Sequence, residues 1–268
     1  MTPLLITGIG VCATGMPSWT QAEYLLQSGV PATPGPLPPL APGCLPPAER
    51  RRANATTRLA ISAAMQAVAG MPPEDVAQLR TVFSSSDGDG EVLANMLAAL
   101  ALEQVVLSPT LFHNSVFNAP AGYWSIGARA PAASITVSAG PASFVAGLRE
   151  AHAQVLATRA AVLYVAFDAP FPTALASFAR SAEPFACALR LQPGAETGSM
   201  GFGRIENLGA GRIDDARDST LSAELNERFS ANAAADSLPL LRAIARRQRA
   251  RVPLTWHDGS RLWLDYVP

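Results

Sequence analysis

The amino-acid sequence predicts an α/β protein in which a mainly parallel sheet lies between layers of helices. Short apolar runs alternate with amphipathic or Ala-rich stretches as far as residue 167, which is the pattern of repeated strand and helix units. The run Ala161 to Phe167 is continuously apolar, as expected of a strand covered on both faces. Apolar residues between Phe144 and Val155 recur at helical spacing and predict one buried helix face.

The first part of the chain predicts a strand, a turn and a helix. The apolar run Leu4 to Ile6 leads to Gly8-Ile9-Gly10, and Ser18 is the candidate N-cap of a helix that extends to Gln27. Residues 30–47 contain eight prolines and no periodicity, which predicts an extended surface loop. Thr56 to Ala69 is Ala-rich and is followed by a glycine and nearby prolines, which predicts a second helix.

The middle of the chain continues this alternation. Thr81 to Ser84 predicts a buried strand that leads into a polar loop ending at Gly90, and a helix is expected from Leu93 to Leu102. Ile135 to Ser138 predicts another strand, directly ahead of the helical stripe. These strands precede helices, so we expect them to lie side by side in one sheet.

The C-terminal part predicts further strands and one helix. Two strands are expected at 186–191 and 199–207, on either side of a Pro-Gly turn. Leu240 to Arg251 has the pattern of a basic amphipathic helix, and Arg261 to Tyr266 predicts a terminal strand.

Composition excludes several classes of function. All 20 basic residues are Arg, so neither a Schiff-base lysine nor a phosphate-binding lysine of the Walker type is present. A net charge of −1 disfavours nucleic-acid binding. Only 15% of residues are charged although 49% are hydrophobic, which indicates that part of the surface is covered by another subunit. The odd number of cysteines, 3, fits a reducing compartment, and no apolar run reaches the ~18 residues of a membrane span, so we expect a cytoplasmic protein without an integral membrane segment.

Two glycine-containing motifs have both a functional and a structural interpretation. Gly8-Ile9-Gly10 could begin a dinucleotide-binding fingerprint, but Ala13 stands where the third glycine belongs, and a structural turn is favoured. Asp87-Gly88-Asp89-Gly90 lacks the spacing and the bidentate Glu of a calcium loop, and a polar strand-to-helix loop is favoured. No cofactor is therefore expected.

The histidines and arginines give weaker signals. His113, His152 and His257 are far apart and do not have the spacing of metal ligands, so no metal site is expected. The run Arg246-Arg247-Gln248-Arg249 either meets an acidic carrier protein or forms a solvated helix face.

Motifs in a fixed order along the chain carry a resemblance to a known family. They are Thr-Gly-Ile-Gly-Val at 7–11, the helix from Arg58 to Ala69, the strand and loop from Val82 to Gly90, the segment from Asn118 to Gly122, and the strand and helix start that follow Ser134. Over roughly residues 1 to 208 the chain resembles the N-terminal half of β-ketoacyl synthases. The resemblance implies a thiolase-like half, with α/β/α layers around a mixed, mainly parallel five-stranded sheet, in a single truncated domain of residues 1–268 whose C-terminal extension, 209–268, diverges and adds a helix and a strand.

The catalytic position of that family is degenerate in this sequence. Active members present a Thr-Ala-Cys elbow between a strand and a buried helix, and the corresponding residues here are Ser138-Ala139-Gly140. Gly140, or Pro141 if the alignment shifts by one residue, stands at the nucleophile, and neither can form an acyl-enzyme. The family's His-Gly-Thr-Gly-Thr and Gly-His motifs are also missing from the sequence. The resemblance therefore implies a pseudo-ketosynthase without the Cys-His-His triad.

Ketosynthase-like proteins without the nucleophile are chain-length factors, which pair with an active ketosynthase and help to shape its acyl tunnel. The chain is most similar to the short chain-length-factor-like subunits of aryl polyene or xanthomonadin-type pathways. A cluster of aromatic and polar residues carries this similarity and is expected at the interface or the tunnel; its members are Phe112, His113, Asn114, Asn118, Tyr123, Trp124 and Phe144. Ordinary core packing is the alternative for the aromatic members.

Two hypotheses about function follow. The first is a non-catalytic partner that forms a heterodimer with an active β-ketoacyl synthase and meets the acyl carrier protein through that complex, in polyketide or fatty-acid-like biosynthesis. The second is a stand-alone enzyme for acyl transfer or decarboxylation that uses Ser143, or Ser138, as an unusual nucleophile. A serine at a helix start also commonly caps or packs, which favours the first hypothesis.

Overall fold

The computed structural model describes residues 3–29, 35–37, 39–40, 42–104, 106–178, 181–194, 201–210, 223–256 and 260–268. The strands are β1 (Leu4–Ala13), β2 (Arg80–Ser84), β3 (Ser134–Val137), β4 (Val162–Asp168), β5 (Phe185–Pro193), β6 (Arg204–Ala210), β7 (Ala250–Thr255) and β8 (Arg261–Val267). The helices are α1 (Trp19–Ser28), α2 (Pro47–Arg52), α3 (Ala55–Ala67), α4 (Pro73–Gln78), α5 (Gly90–Leu100), α6 (Pro109–Asn114), α7 (Ala119–Ala128), α8 (Ser143–Thr158), α9 (Ala223–Phe229) and α10 (Leu238–Ala245). Short 3₁₀ helices occupy Gly140–Ala142, Thr173–Phe178 and Ala233–Ser237.

The strands form one mixed sheet in the order β3-β2-β4-β5-β1-β6-β8-β7. The α/β class is confirmed, and the first five strands in this order match the expected five-stranded sheet. Strands β6, β8 and β7 from the C-terminal segment extend it to 8 strands. The parallel pairs are β2 with β3 and β2 with β4, whereas the other neighbours are antiparallel. The expectation of a mainly parallel sheet was wrong, because β5 runs antiparallel to both of its neighbours, β4 and β1. The C-terminal strands add to the other edge of β1 and are antiparallel as well.

Gly8 and Gly10 allow α3 to lie directly against β1. A Cβ atom on Gly8 would collide with the backbone oxygen of Ala67, and one on Gly10 with that of Ala63. The side chain of Gln66 fixes the same contact, because its Oε1 atom accepts hydrogen bonds from the backbone N–H of Val11 (3.2 Å) and of Trp19 (2.9 Å). The two glycines therefore have a structural role, as favoured by the sequence, but they lie inside a strand rather than in a turn.

Each face of the sheet has its own hydrophobic core. One core contains α8, including Phe144 and Leu148, together with apolar residues of α10 such as Leu240. The other contains α3 and α7, including Trp124. Helix α9, the 3₁₀ helix Ala233–Ser237 and α10 thus pack on the same face of the sheet as α8.

The basic segment after Leu240 is only partly helical. Helix α10 ends at Ala245, and Arg247 adopts a left-handed conformation with φ of 50° while its N–H bonds the Ile244 carbonyl. The predicted helix to Arg251 was wrong in its second half, because residues 250–255 form β7 with alternating burial. Alternation by two residues and helical spacing are hard to separate over so short a segment.

The other predicted helices and strands were found close to their expected places, and the predicted loop at 30–47 and the predicted strand at 199–207 lie partly outside the described residues. Ser18 caps α1 by accepting a hydrogen bond from the N–H of Gln21 (3.4 Å), and β4 is buried along its whole length. Five helices of 6 to 10 residues, namely α2, α4, α6, α7 and α9, were not predicted. Among the described residues, no helix is both long and apolar enough to cross a lipid bilayer.

We predict that Gly10→Ala lowers the free energy of unfolding by about 2–3 kcal/mol, because the new methyl group meets a backbone carbonyl that cannot move alone. Urea or thermal unfolding measures the change. Gly122→Ala is the matched control, since a Cβ atom there meets nothing within 4 Å and the residue lies in helix α7. An equal loss of stability in both variants would contradict the close-packing role of Gly10.

Candidate functional site

A sharp elbow joins strand β3 to helix α8. After Val137 the chain passes through Ser138 and Ala139 into the 3₁₀ helix that begins at Gly140, and α8 follows directly. Gly140 has φ of 55°, which lies in the left-handed region, and a Cβ atom on it would meet nothing within 4 Å. The elbow therefore has room for a side chain next to the start of a 16-residue helix, but Gly140 supplies none. Pro141, the other aligned residue, is exposed and has no reactive group.

Ser143 lies under the elbow and is bonded to the main chain. Its side chain is buried, and Oγ accepts a hydrogen bond from the N–H of Ala139 (3.0 Å). The acceptors of its single proton are the carbonyl oxygens of Gly140 (2.7 Å) and Ser85 (3.2 Å). Ser138 likewise donates to the carbonyl oxygen of Ser86 (3.3 Å). The hydrogen bonds of both serines described here include no imidazole or carboxylate that could act as a general base.

A buried carboxyl group, Asp168, holds the loop that faces the elbow. Its Oδ1 atom accepts hydrogen bonds from Ser85 Oγ (2.8 Å), the N–H of Ser86 (2.8 Å) and the N–H of Asp87 (3.3 Å). Burial raises the pKa of Asp168 to about 7, although the bonds from Ser85, Ser86 and Asp87 lower it. Its Oδ2 atom is buried and has no hydrogen-bond partner. Sequence reasoning missed this residue; the only signal was an acidic residue directly after the apolar run of β4.

A cleft of about 120 Å³ lies beside this loop, between α5, α6 and the start of α3. We call it the α5–α6 cleft. Its apolar lining includes Leu93, Met96, Val116, Phe117 and Phe167, and its polar lining includes Asn54, Thr57, Asp87, Asp89 and Asn114. The hydroxyl of Thr57 is buried and has no hydrogen-bond partner. The cleft can thus accept a largely apolar group, and the Thr57 hydroxyl in its wall could form one hydrogen bond with such a group.

The aromatic cluster predicted from the sequence is divided by the structure. Tyr123, Trp124 and Phe144 are buried in the chain's own cores, which corrects their assignment to an interface and agrees with the core-packing alternative. Tyr123 donates a hydrogen bond to Oδ1 of Asn114 (3.1 Å), and Asn114 donates to the carbonyl oxygen of Arg52 (2.9 Å). These contacts anchor α6 to α7 and α2.

The remaining members of the cluster lie at the surface. The Phe112 side chain is 61% exposed, and His113 is exposed with its ring edge-on to Tyr123 at 5.6 Å. Asn118 is exposed directly before α7 and makes no capping bond through its side chain. Only these three residues of the predicted set are available to touch a partner.

A larger apolar surface, not singled out from the sequence, adjoins Phe112. Its residues are Leu93, Leu97 and Leu100 on α5, Val116 and Phe117 after α6, and Ile135 on β3. We call it the apolar face. The three leucines repeat at i, i+4 and i+7 and form one stripe of α5. The signal was present in the sequence, but only the structure shows that this stripe points away from the core.

The two ends of the sheet differ. Among the described strands, β3 pairs with β2 alone, and Ser134 and Ile135 at its start are exposed. Strand β7 forms the opposite edge and contains Pro253, which has no N–H to donate. The open edge is therefore at β3, next to the apolar face.

The other motifs have structural roles or stay unassigned. Asp89 caps α5 by accepting a hydrogen bond from the N–H of Val92 (2.8 Å), in keeping with a polar strand-to-helix loop. Among the described residues, no group of three His, Cys, Asp or Glu could hold a metal ion. Burial raises the pKa of Cys12 and of Cys187 to about 12, which makes both thiols poor nucleophiles. His257 lies outside the described residues.

Comparisons with known proteins agree with this geometry. The sequence matches the N-terminal domain of β-ketoacyl synthases over residues 18–264, beyond the point where the resemblance seen in the motifs ended. A ketosynthase in complex with its chain length factor from Xenorhabdus doucetiae aligns with a TM-score of 0.71 and 25% identity over 100% of both chains. The ishigamide ketosynthase/chain length factor aligns with a TM-score of 0.73 and 16% identity over 99% of both chains.

A further similar chain comes from a structure described as a type II PKS acyl-carrier protein in complex with its ketosynthase bound to the hexaketide. That chain aligns with a TM-score of 0.76 and 12% identity over 100% of this chain and 99% of its own length. None of the curated proteins matches the sequence.

We predict that Gly140→Cys reacts with maleimide at pH 7 several-fold faster than Gly122→Cys. The helix start beside residue 140 lowers a thiol pKa, and a decrease of about one pKa unit gives up to tenfold more thiolate. Mass spectrometry of labelled peptides measures both rates. Equal rates would show that the helix start does not lower the thiol pKa at residue 140, and no labelling there would show that the elbow does not present a side chain to solvent.

Proposed function

Because the chain belongs to the β-ketoacyl synthase family, we propose that it is a non-catalytic partner, a chain length factor, of an active β-ketoacyl synthase. The observation that carries the proposal is Gly140. It lies at the elbow between β3 and α8, where active members present a cysteine, and the site has room that no side chain fills. Without a thiolate at this point, the chain has no atom to carry the acyl group through a condensation.

The surroundings of the elbow support the same proposal. The hydrogen bonds of Ser143 run to main-chain atoms, and its side chain is buried. A serine nucleophile needs a base within hydrogen-bond reach that is itself held by a third group. The contacts of Ser143 fit a residue that fastens the elbow to the loop after β2. They give no support to the alternative, a stand-alone enzyme with a serine nucleophile.

The open edge of β3 and the apolar face form the proposed docking surface for the ketosynthase. An open edge strand offers unpaired N–H and C=O groups to a second strand. The exposed leucine, phenylalanine, valine and isoleucine side chains of the apolar face, of which Leu93, Val116 and Phe117 line one cleft, support an interaction surface. Ile135 on β3 belongs to both features, whereas Pro253 in the opposite edge strand removes one N–H donor from that edge. A relative at 25% identity includes a ketosynthase and its chain length factor in complex, which supports this choice of partner.

The α5–α6 cleft supports the proposed role in shaping the acyl tunnel. It adjoins the apolar face, and Leu93, Val116 and Phe117 belong to both. A growing acyl chain that reaches this interface would find apolar walls and a cleft of about 120 Å³. The side chains at the cleft would then limit the length of the product.

The proposed setting is aryl polyene or related polyketide biosynthesis, or a fatty-acid-like pathway, in the cytoplasm. The motifs around Phe112 and Trp124 support the aryl polyene assignment, and the free cysteines fit a reducing compartment. In this proposal the acyl carrier protein meets the chain only through the ketosynthase complex.

We predict that this chain and a full-length ketosynthase from the same gene neighbourhood form a one-to-one complex on co-expression. Affinity purification and size exclusion measure the complex, and an assay with acyl carrier protein follows elongation. Elongation is expected only with both chains present, and it should be unchanged by Ser143→Ala after correction for complex yield. Absence of a complex, together with thioester turnover by this chain alone that Ser143→Ala abolishes, would overturn the proposal in favour of the enzyme hypothesis.

We predict that Leu97→Glu weakens binding of the ketosynthase at least tenfold, because a desolvated, unpaired carboxylate at an interface costs about 2 kcal/mol or more. Titration calorimetry or surface binding measures the affinity. Tyr24→Glu is the matched control, since Tyr24 is 63% exposed on α1, outside the apolar face. The apolar face would be excluded as the interface if the two variants bound equally well.

A further inference from the structure

The carboxyl group of Asp168 connects the end of β4 to the loop between β2 and α5. One oxygen, Oδ1, receives three hydrogen bonds from consecutive loop residues, namely Ser85 Oγ, the N–H of Ser86 and the N–H of Asp87. The next loop residue is tied to the same group, since the N–H of Gly88 donates to Ser85 Oγ (2.9 Å). Oδ1 of Asp168 thus accepts three hydrogen bonds from this loop, beside the bonds that Ser138 and Ser143 donate to carbonyl oxygens of the loop.

The loop held by Asp168 forms part of the α5–α6 cleft. Asp87, Gly88 and Asp89 line the cleft, and Asp89 also caps α5, whose outer stripe belongs to the apolar face. A displacement of the loop would move both the polar wall of the cleft and the start of α5. Asp168 itself does not line the cleft, so it can act there only through the loop.

The C-terminal segment is fastened to the same point. Asn232 donates hydrogen bonds through Nδ2 to the carbonyl oxygens of Asp168 (3.3 Å) and Glu183 (2.9 Å). Its Oδ1 atom accepts bonds from the N–H groups of Ala234 and Ala235 and so caps the 3₁₀ helix Ala233–Ser237. The main chain of Asp168 is thereby bonded to the C-terminal segment, while its carboxyl group is bonded to the loop.

We propose that Asp168 is a positioning residue whose ionised carboxylate tightens the loop between β2 and α5 and so sets the wall of the α5–α6 cleft. The link to product length rests on the function proposed above, whereas the effect on the loop does not. An ionised acceptor makes shorter and roughly twofold stronger hydrogen bonds than a neutral one. Loss of the proton from Asp168 therefore strengthens its bonds to the loop.

The ionisation falls within an ordinary range of pH. Burial raises the pKa of Asp168 to about 7, the charge of Asp87 raises it further, and the three donors oppose the rise. Asp87 on the loop is the charged group that raises this pKa, and the neutral Tyr164 on β4 lies close enough for Asp168 to raise the pKa of its phenol. Glu183, whose carbonyl oxygen shares the Asn232 amide with that of Asp168, is ion-paired with Arg228 (2.9 Å). No cation is among the causes of the shift at Asp168.

Loop order and global stability should respond to pH with opposite signs. The pKa of Asp168 in the folded chain lies above the ordinary value of 3.8, so its contribution to folding stability is fully present below pH 4 and is lost as pH rises towards 7. Over the same rise, the loop gains stronger bonds. This opposition separates a positioning role from a purely structural one.

Hydrogen exchange of the whole chain, read by mass spectrometry in the peptide that covers residues 84–92, tests the proposal. After correction for intrinsic rates, protection should rise about fivefold between pH 6 and 8 with a midpoint near 7. Asp168→Asn should abolish the rise, and Asp236→Asn, which removes another partly buried carboxyl group, should retain it. A flat profile in the wild type, or the same rise in Asp168→Asn, would overturn the proposal.

The wild-type profile decides the question even if Asp168→Asn does not fold, because Asp236→Asn supplies the comparison. The complex with the ketosynthase provides a second readout. Product lengths from the Asp168→Asn complex should differ from wild type at pH 8 and converge with it at pH 6. A rise in protection without this convergence would overturn the effect on the cleft. Failure of the complex to form would overturn the proposed partner function and leave the exchange result standing.

Discussion

The pairing of strand β1 on both of its edges is the constraint on which the rest of the molecule depends. Along one edge β1 pairs with β5 over nearly its whole length, and at its start it pairs with β6 on the other edge. The glycines at 8 and 10 let α3 lie against the face of the same strand. One strand thus joins the first five strands, a helix layer and the C-terminal hairpin, and larger side chains at those glycines would force α3 away from β1.

The elbow after β3 has a defined backbone geometry although the residue at its tip, Gly140, has no side chain. The strand end, the left-handed backbone at Gly140 and the start of a long buried helix are all present. The buried serine below it is bonded to the main chain on both sides of the elbow and to the loop after β2. The Ser143 hydroxyl at the start of α8 thus joins that helix to the elbow and to the loop after β2. Such a site fits a subunit that supplies shape to a partner rather than a nucleophile.

The surface is asymmetric in a way that matches this role. The strand at one edge of the sheet contains a proline, whereas β3 at the other edge has no second partner among the described strands and carries the exposed Ile135 of the apolar face. The α5–α6 cleft and the loop fixed by Asp168 lie at the same side, so the contacts of a partner and the dimensions of the cleft are set by one group of elements.

The sequence by itself determined the α/β class, the order of the main strands and helices, and the glycine at residue 140 of the elbow motif, because each depends on local periodicity or on the identity of one residue in a motif. Only the tertiary structure decided that β6, β8 and β7 extend the sheet, that Tyr123 and Trp124 belong to the core, and that Asp168 binds a loop about 80 residues earlier in the chain. These outcomes depend on which segments meet in space. Pairing and hydrogen bonding between distant segments leave no periodic pattern along the chain. They could therefore not be predicted from a single sequence.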